Sequence, residues 1–116
     1  MRRDMHIPIY LPLITGTLLA SFGQVLFKLG ATGRSSFAAF LNIWTFAGLA
    51  CYGVGTVLWI YALSRAPLTL VYPFTALTFV FVYAAGVLFL GETTSPKALA
   101  GIGLVLAGLY LVSSST

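Results

Sequence analysis

Apolar residues run through this chain in four long blocks, at about 9–29, 40–63, 68–90 and 96–112. A helix needs roughly 20 apolar residues to cross the hydrocarbon layer, within a range of about 17–25. Each block is long enough to span, the last at the short end. The breaks between them are Gly30–Ala39, rich in Gly, Ser and Thr with one Arg34; Ser64-Arg65-Ala66-Pro67; and Gly91-Glu92-Thr93-Thr94-Ser95. Connections this short force antiparallel neighbours. The pattern therefore predicts an all-α integral membrane protein: one membrane domain over residues 1–116, built as a four-transmembrane-helix up-down bundle with short loops.

Composition narrows the class further. Of 116 residues, 59% are hydrophobic and 7% charged, against about 25% charged in an average soluble domain. Mean hydropathy is +1.02. A water-facing globular surface, a disordered segment and a disulfide framework are all excluded, the last because Cys51 is the lone cysteine. The Arg2-Arg3-Asp4 head resembles the start of a signal peptide, but the apolar stretch behind it is too long and lacks a small-x-small cleavage site, so the first span is expected to stay. The formal charge of +4 comes from scattered single residues rather than a basic run. No nucleic-acid partner is implied.

Antiparallel spans place Arg2, Arg3 and Arg65 on one side and Lys28, Arg34 and Lys97 on the other. With three against three, the positive-inside rule favours neither orientation. Insertion in both orientations, or orientation by a partner, is expected of such a chain.

Within the first span, Thr17, Ser21, Gln24 and Lys28 recur at spacings of four, three and four, one face of a helix. Lipid offers these groups no hydrogen-bond partner, so the stripe is expected to face the bundle interior or a wet groove. Thr17 and Ser21 suit helix–helix contact. Gln24 and Lys28, an amide and an ammonium one turn apart, suit a phosphate oxygen, with Lys28 also able to snorkel to the headgroups.

The third span opens Pro67-Leu68-Thr69-Leu70-Val71-Tyr72-Pro73. Pro67 fits a helix start, whereas Pro73 cannot donate to the Thr69 carbonyl and predicts a helix kink. Tyr72, Thr75, Phe79 and Tyr83 share that face, and irregular backbone in transporters is tolerated where it lines a cavity. The second span carries Gly48, Tyr52, Gly55 and Trp59 at spacings of four, three and four, read as helix packing. In the fourth span Gly103 and Ala107 form a small-xxx-small pair, and Gly101, Leu104 and Gly108 line one edge as a candidate oligomer interface.

The acidic residues are Asp4 in the head and Glu92 in a loop, so no carboxylate sits within a span. Glu92 reads as an interfacial ion-pair partner for Lys28 or Lys97. His6 stands alone near the terminus, and no metal spacing, phosphate loop or nucleophile–base pair is present. No catalysis and no cofactor are implied.

These residues resemble the four-helix members of the drug/metabolite transporter superfamily over nearly the whole chain. Pro67 with Tyr72 five residues on, and Gly101 with Gly108, are similar to the third and fourth helices of small multidrug resistance exporters. Those exporters carry a glutamate eight residues before a first-helix lysine; here that position is Ala20, which removes their proton/cation exchange group. A second branch, the small aminoarabinose-phosphoundecaprenol flippase subunits, is similar at Gly23-Gln24 with Lys28, at Val57-Leu58-Trp59 with Ala66-Pro67, at Val71-Tyr72-Pro73, and at Glu92 with Ser95-Pro96. Phe27 departs from that branch, which commonly has a polar residue there.

The resemblance implies a transporter or flippase subunit that moves a lipid-linked sugar, such as an undecaprenyl-phosphate aminosugar, across the bacterial inner membrane. Gln24, Lys28, Tyr72, Thr75 and Arg65 are the candidate substrate-binding residues. The implied partners are a membrane lipid and a second four-helix subunit, either a homodimer, including an antiparallel one, or a heterodimer. A small cation exporter and a non-transporting accessory subunit of a membrane enzyme are the alternatives.

Overall fold

A computed structural model describes residues 6–115 of the chain. The head residues Arg2, Arg3 and Asp4, and the terminal Thr116, lie outside the described residues.

Helix α1 spans His6–Ala31, 26 residues, about 39 Å at 1.5 Å per residue and so longer than the hydrocarbon layer. A single turn, α2 (Phe37–Phe40), follows. Helix α3 runs Ile43–Leu63. It starts three residues later than the hydrophobic pattern suggests because Asn42 caps it: the Asn42 side-chain oxygen accepts from the N–H groups of Trp44 and Thr45 at 3.0 and 3.3 Å. The third span is built in pieces, α4 (Leu68–Val71), a 3-10 turn (Tyr72–Phe74) and α5 (Thr75–Phe89). Pro73 sits in the 3-10 turn, where its missing N–H breaks the α-helical ladder. Helix α6 spans Pro96–Ser114, with Pro96 in the first turn and the Ser95 hydroxyl accepting from the Ala98 N–H at 3.2 Å.

Four stretches are long and apolar enough to cross a membrane: Ile9–Ala31, Ile43–Leu63, Leu68–Phe89 and Pro96–Ser114. The protein is an all-helical, multi-pass membrane protein.

Helix α1 is the hub, packed along α3 on one side and against α5 on the other. The contact with α3 rests on glycine. Gly16 and Gly23 of α1 face Gly55 and Gly48 of α3, and Gly30 faces Thr45. A Cβ placed on Gly55 would meet the Gly16 carbonyl oxygen at 2.9 Å, and one on Gly16 the Gly55 carbonyl oxygen at 3.2 Å. Lipid tails are as apolar as the side chains, so helix association in a bilayer depends on such close backbone approach. At one end of this seam the Asn42 amide donates to the Gly30 carbonyl at 2.9 Å, joining the last turn of α1 to the first of α3. The Arg34 guanidinium donates to the Leu29, Gly30 and Thr32 carbonyls at 3.0–3.2 Å, a cation on the negative end of the α1 dipole.

At the opposite end, Ile9 and Leu13 of α1 pack with Ala62, Ala66, Val71 and Phe74. Helix α6 is different. It buries no residue and rests mainly against α5 and the 3-10 turn, with Leu109 packed against the core cluster. The molecule is accordingly a slab of 48 × 34 × 18 Å with long apolar faces.

Candidate functional site

The α1–α3 and α1–α5 contacts leave α3 and α5 apart, and the space between them is a groove of about 370 Å³. Gly16, Thr17 and Ala20 of α1 form its floor. Tyr52, Gly55, Thr56 and Trp59 form the α3 wall, and Tyr72, Thr75 and Thr78 the opposite one. Tyr52, Thr56, Tyr72 and Thr75 are exposed, so the groove opens sideways between the two helices.

Four threonines give the groove its polarity. The Thr17 hydroxyl donates to the Ile14 carbonyl at 2.8 Å, and the Thr56 hydroxyl to the Tyr52 carbonyl at 2.9 Å. Thr56, on the exposed rim, keeps its oxygen lone pairs for a guest, whereas Thr17 is buried in the floor. The Ser21 hydroxyl donates to the Thr17 carbonyl at 2.6 Å and, at a longer 3.4 Å, to the Thr78 carbonyl, which ties α1 to α5 at the back of the groove. The lining carries hydroxyls, an indole and phenols, and no carboxylate, amine or imidazole.

The polar stripe of α1 divides at this point. Thr17 and Ser21 are buried, whereas Gln24 and Lys28 are exposed and outside the groove lining. Gln24 and Lys28 stand one and two turns beyond Ala20 on the same helix face, about 6 and 12 Å along the axis. Tyr72 and Thr75 do line the groove. They also line a second crevice of about 500 Å³ between α5 and α6, and so form the wall between the two spaces. Arg65 lies at the opposite end from Lys28, its guanidinium carbon 5.0 Å from the centre of the Tyr61 ring and its Nε donating to the Tyr61 hydroxyl at 3.3 Å.

Tyr83 and Glu92 depart from the sequence expectation. Tyr83 turns away from the groove to share a 2.6 Å hydrogen bond with the Thr94 hydroxyl. Glu92 pairs with neither Lys28 nor Lys97; its backbone N–H donates to the Gly86 carbonyl at 3.0 Å and its carboxylate lies against Gly86, where a Cβ would meet it at 2.7 Å. The positive φ of Gly91, 72°, reverses the chain and makes this possible.

Tyr52, Thr56, Trp59 and Thr78 are groove residues that the spacing of the second and third spans either assigns to helix packing or does not single out. A signal is present in α3: Tyr52, Thr56 and Trp59 recur at spacings of four and three, on the face that also carries Gly48 and Gly55.

The sequence profile of the EamA-like transporter family matches residues 7–114. The chain belongs to the EamA-like transporter family. Among curated relatives, a protein of Pseudomonas savastanoi pv. phaseolicola named "Probable 4-amino-4-deoxy-L-arabinose-phosphoundecaprenol flippase subunit ArnE" is 31% identical over 106 residues, covering 87% of this chain and 93% of the relative. A protein of the same name from Escherichia coli O157:H7 (strain EC4115 / EHEC) is 30% identical over 109 residues, 92% of this chain and 98% of the relative. No solved structure matches the chain. In this family setting, a groove enclosed by three helices and open at its side is a candidate passage for a solute.

Proposed function

We propose that this chain is a subunit of a flippase that carries a lipid-linked sugar, such as an undecaprenyl-phosphate sugar, across the bacterial inner membrane. The observation that carries the reading is the sideways-opening groove of about 370 Å³, polar through its threonines and walled by Trp59, Tyr52 and Tyr72. Its volume falls within the usual range for small-molecule sites, about 300–1,000 Å³. A headgroup can enter between α3 and α5 while its polyprenyl tail stays in lipid. The similarity to flippase subunits over most of both chains supports the same reading.

The basic residues have roles at the ends. Lys28, with Gln24 one turn deeper, holds the phosphate near one membrane face, and Arg65 does so near the other. Ala20 occupies the groove floor at the place where a cation exporter needs a carboxylate, so a cationic drug finds no counter-ion there. Helix α6 supplies the contact with a second subunit. It has no buried residue, Leu104 is 75% exposed, and a Cβ on Gly101 or Gly108 would meet nothing within 4 Å. Both a second copy and a similar four-helix chain fit such a surface.

The test is translocation of a panel of lipid-linked sugars in proteoliposomes holding the purified protein. Protein-dependent movement of at least one undecaprenyl-phosphate sugar supports the reading. Movement of quaternary ammonium compounds instead replaces it with the exporter.

A further inference from the structure

We infer that the crevice between α5 and α6 is a binding site for the isoprenoid tail of the substrate, occupied while the headgroup lies in the neighbouring groove. The inference rests on the flippase reading and adds to it a second subsite, for the apolar part of the same lipid.

Continuity is the first ground. The crevice, about 500 Å³, and the groove share two lining residues, Tyr72 and Thr75. Both are exposed, Tyr72 at 62%, so they form an open ridge rather than a sealed partition. One molecule can lie across that ridge with a part on either side. The two hydroxyls make no hydrogen bond among the described residues and are free to donate to a phosphodiester oxygen resting there.

The change of chemistry across the ridge is the second ground. On the groove side stand Thr17, Thr56, Thr78 and Trp59. On the crevice side, beyond the ridge itself, the lining is wholly apolar: Pro73, Ala76 and Phe79 across from Val105, Gly108 and Leu109. A sugar joined through phosphate to a hydrocarbon chain changes character at the same point. Ala76 and Gly108 keep side-chain bulk out of the crevice, which leaves room for the methyl branches of an isoprenoid.

Position is the third ground. The crevice is lined by 72–79 of the third span and 105–112 of the fourth, and in antiparallel spans both stretches lie toward the Arg65 face. A phosphate held near that face can send its sugar into the groove and its tail inward along the crevice for about 10 Å. Gly101 and Leu104 do not line the crevice, so a second subunit seated on them leaves it open.

A comparable space serves as the control. Between α1 and α5, Leu18, Phe22, Val25 and Phe89 line an apolar crevice of about 450 Å³ that shares no residue with the groove. Any lipid chain can fill either space. Only the α5–α6 crevice adjoins the groove, and tethering to a bound headgroup raises the effective concentration of the tail there.

The experiment uses undecaprenyl-phosphate-linked 4-amino-4-deoxy-L-arabinose with a diazirine in an isoprene unit close to the phosphate, and a phospholipid with the same group in an acyl chain. Each is photolysed in proteoliposomes of the full chain, in which translocation of the sugar lipid is also measured, and labelled peptides are read by mass spectrometry. Relative to the phospholipid, the isoprenoid probe should favour 105–112 over 18–25 by at least about tenfold, as tethering predicts. Ala76→Phe, which fills the crevice, should abolish that preference; persistence there places the tail elsewhere and overturns the inference. Equal ratios for the two probes in the wild-type protein also overturn it, and if the sugar lipid is still translocated the flippase reading stands. A segment 105–112 that takes label from neither probe and crosslinks to its counterpart in another copy overturns it too, because a second subunit then fills the crevice. Preference without translocation keeps the crevice as an isoprenoid site and removes the flippase reading for this lipid; absence of both removes the two together.

Discussion

Gly23 of α1 and Gly48 of α3 touch through their backbones: a Cβ on Gly23 would stand 2.9 Å from the Gly48 carbonyl oxygen, and one on Gly48 would stand 2.9 Å from that of Gly23. The Phe27 ring closes the remaining space, 2.7 Å from the same Gly48 position. This contact sets the distance between the two helices that form the floor and one wall of the groove.

Gly23→Ala and Gly48→Ala should therefore each destabilise the protein by about 1–3 kcal/mol, the usual cost of overpacking a tight contact. Gly53→Ala, on the open side of α3 with nothing within 4 Å of the new Cβ, should be neutral or stabilising by up to ~1 kcal/mol through helix propensity. Thermal unfolding in detergent measures all three, and equal midpoints would remove the glycine seam.

Asn42 does two jobs, capping α3 through its oxygen and holding the α1 carbonyl of Gly30 through its amide. Asn42→Ala should cost about 1–2 kcal/mol. Asn42→Asp keeps the cap but loses the donor and sets an anion beside the negative end of α1, so it too should be less stable than the wild type. Hydrogen exchange at the Trp44 and Thr45 amides separates the two roles: protection there should survive in Asn42→Asp and fall in Asn42→Ala.

Lys28→Ala should reduce transport of a phosphate-bearing lipid by at least about tenfold, the loss of a charge-assisted contact of about 1.5–3 kcal/mol. The side chain is exposed at the end of α1, so insertion and unfolding midpoint should not change. Lys28→Arg should keep partial activity because charge survives and geometry changes. A cation exporter would respond with the opposite sign, since the substitution relieves repulsion.

Gly108→Leu tests the α6 surface. A Cβ on Gly108 would meet nothing within 4 Å, and the position lines the open crevice between α5 and α6, so a leucine should be accommodated by the fold but hold a second subunit away. The yield of a crosslinked dimer in native membranes should fall; an unchanged yield moves the interface to another helix.

The charge balance across the bundle predicts mixed orientation, or orientation easily biased. Reporter fusions at Thr116 should report both sides of the membrane or respond to two lysines added beside it. A fixed orientation that ignores the lysines excludes dual insertion.

Span number, approximate span ends and the break at Pro73 are set by local properties of the sequence. Bilayer thickness demands a length of apolar chain, short connections demand antiparallel neighbours, and proline lacks a donor wherever it is placed. Which residues face inward was decided by the tertiary structure. A span that is apolar all round carries no inside–outside contrast, because lipid and protein interior are equally apolar. The stripe on α1 could be read from spacing, but not its division into a buried Thr17 and Ser21 and an exposed Gln24 and Lys28. That division depends on how closely Gly16 and Gly23 bring α3 to α1, and on the Ser21 contact that draws in α5. The groove is the space left over, drawn from residues as distant in sequence as Thr17 and Thr78. Only the packing of three helices onto one another could place those hydroxyls in one wall-lined space.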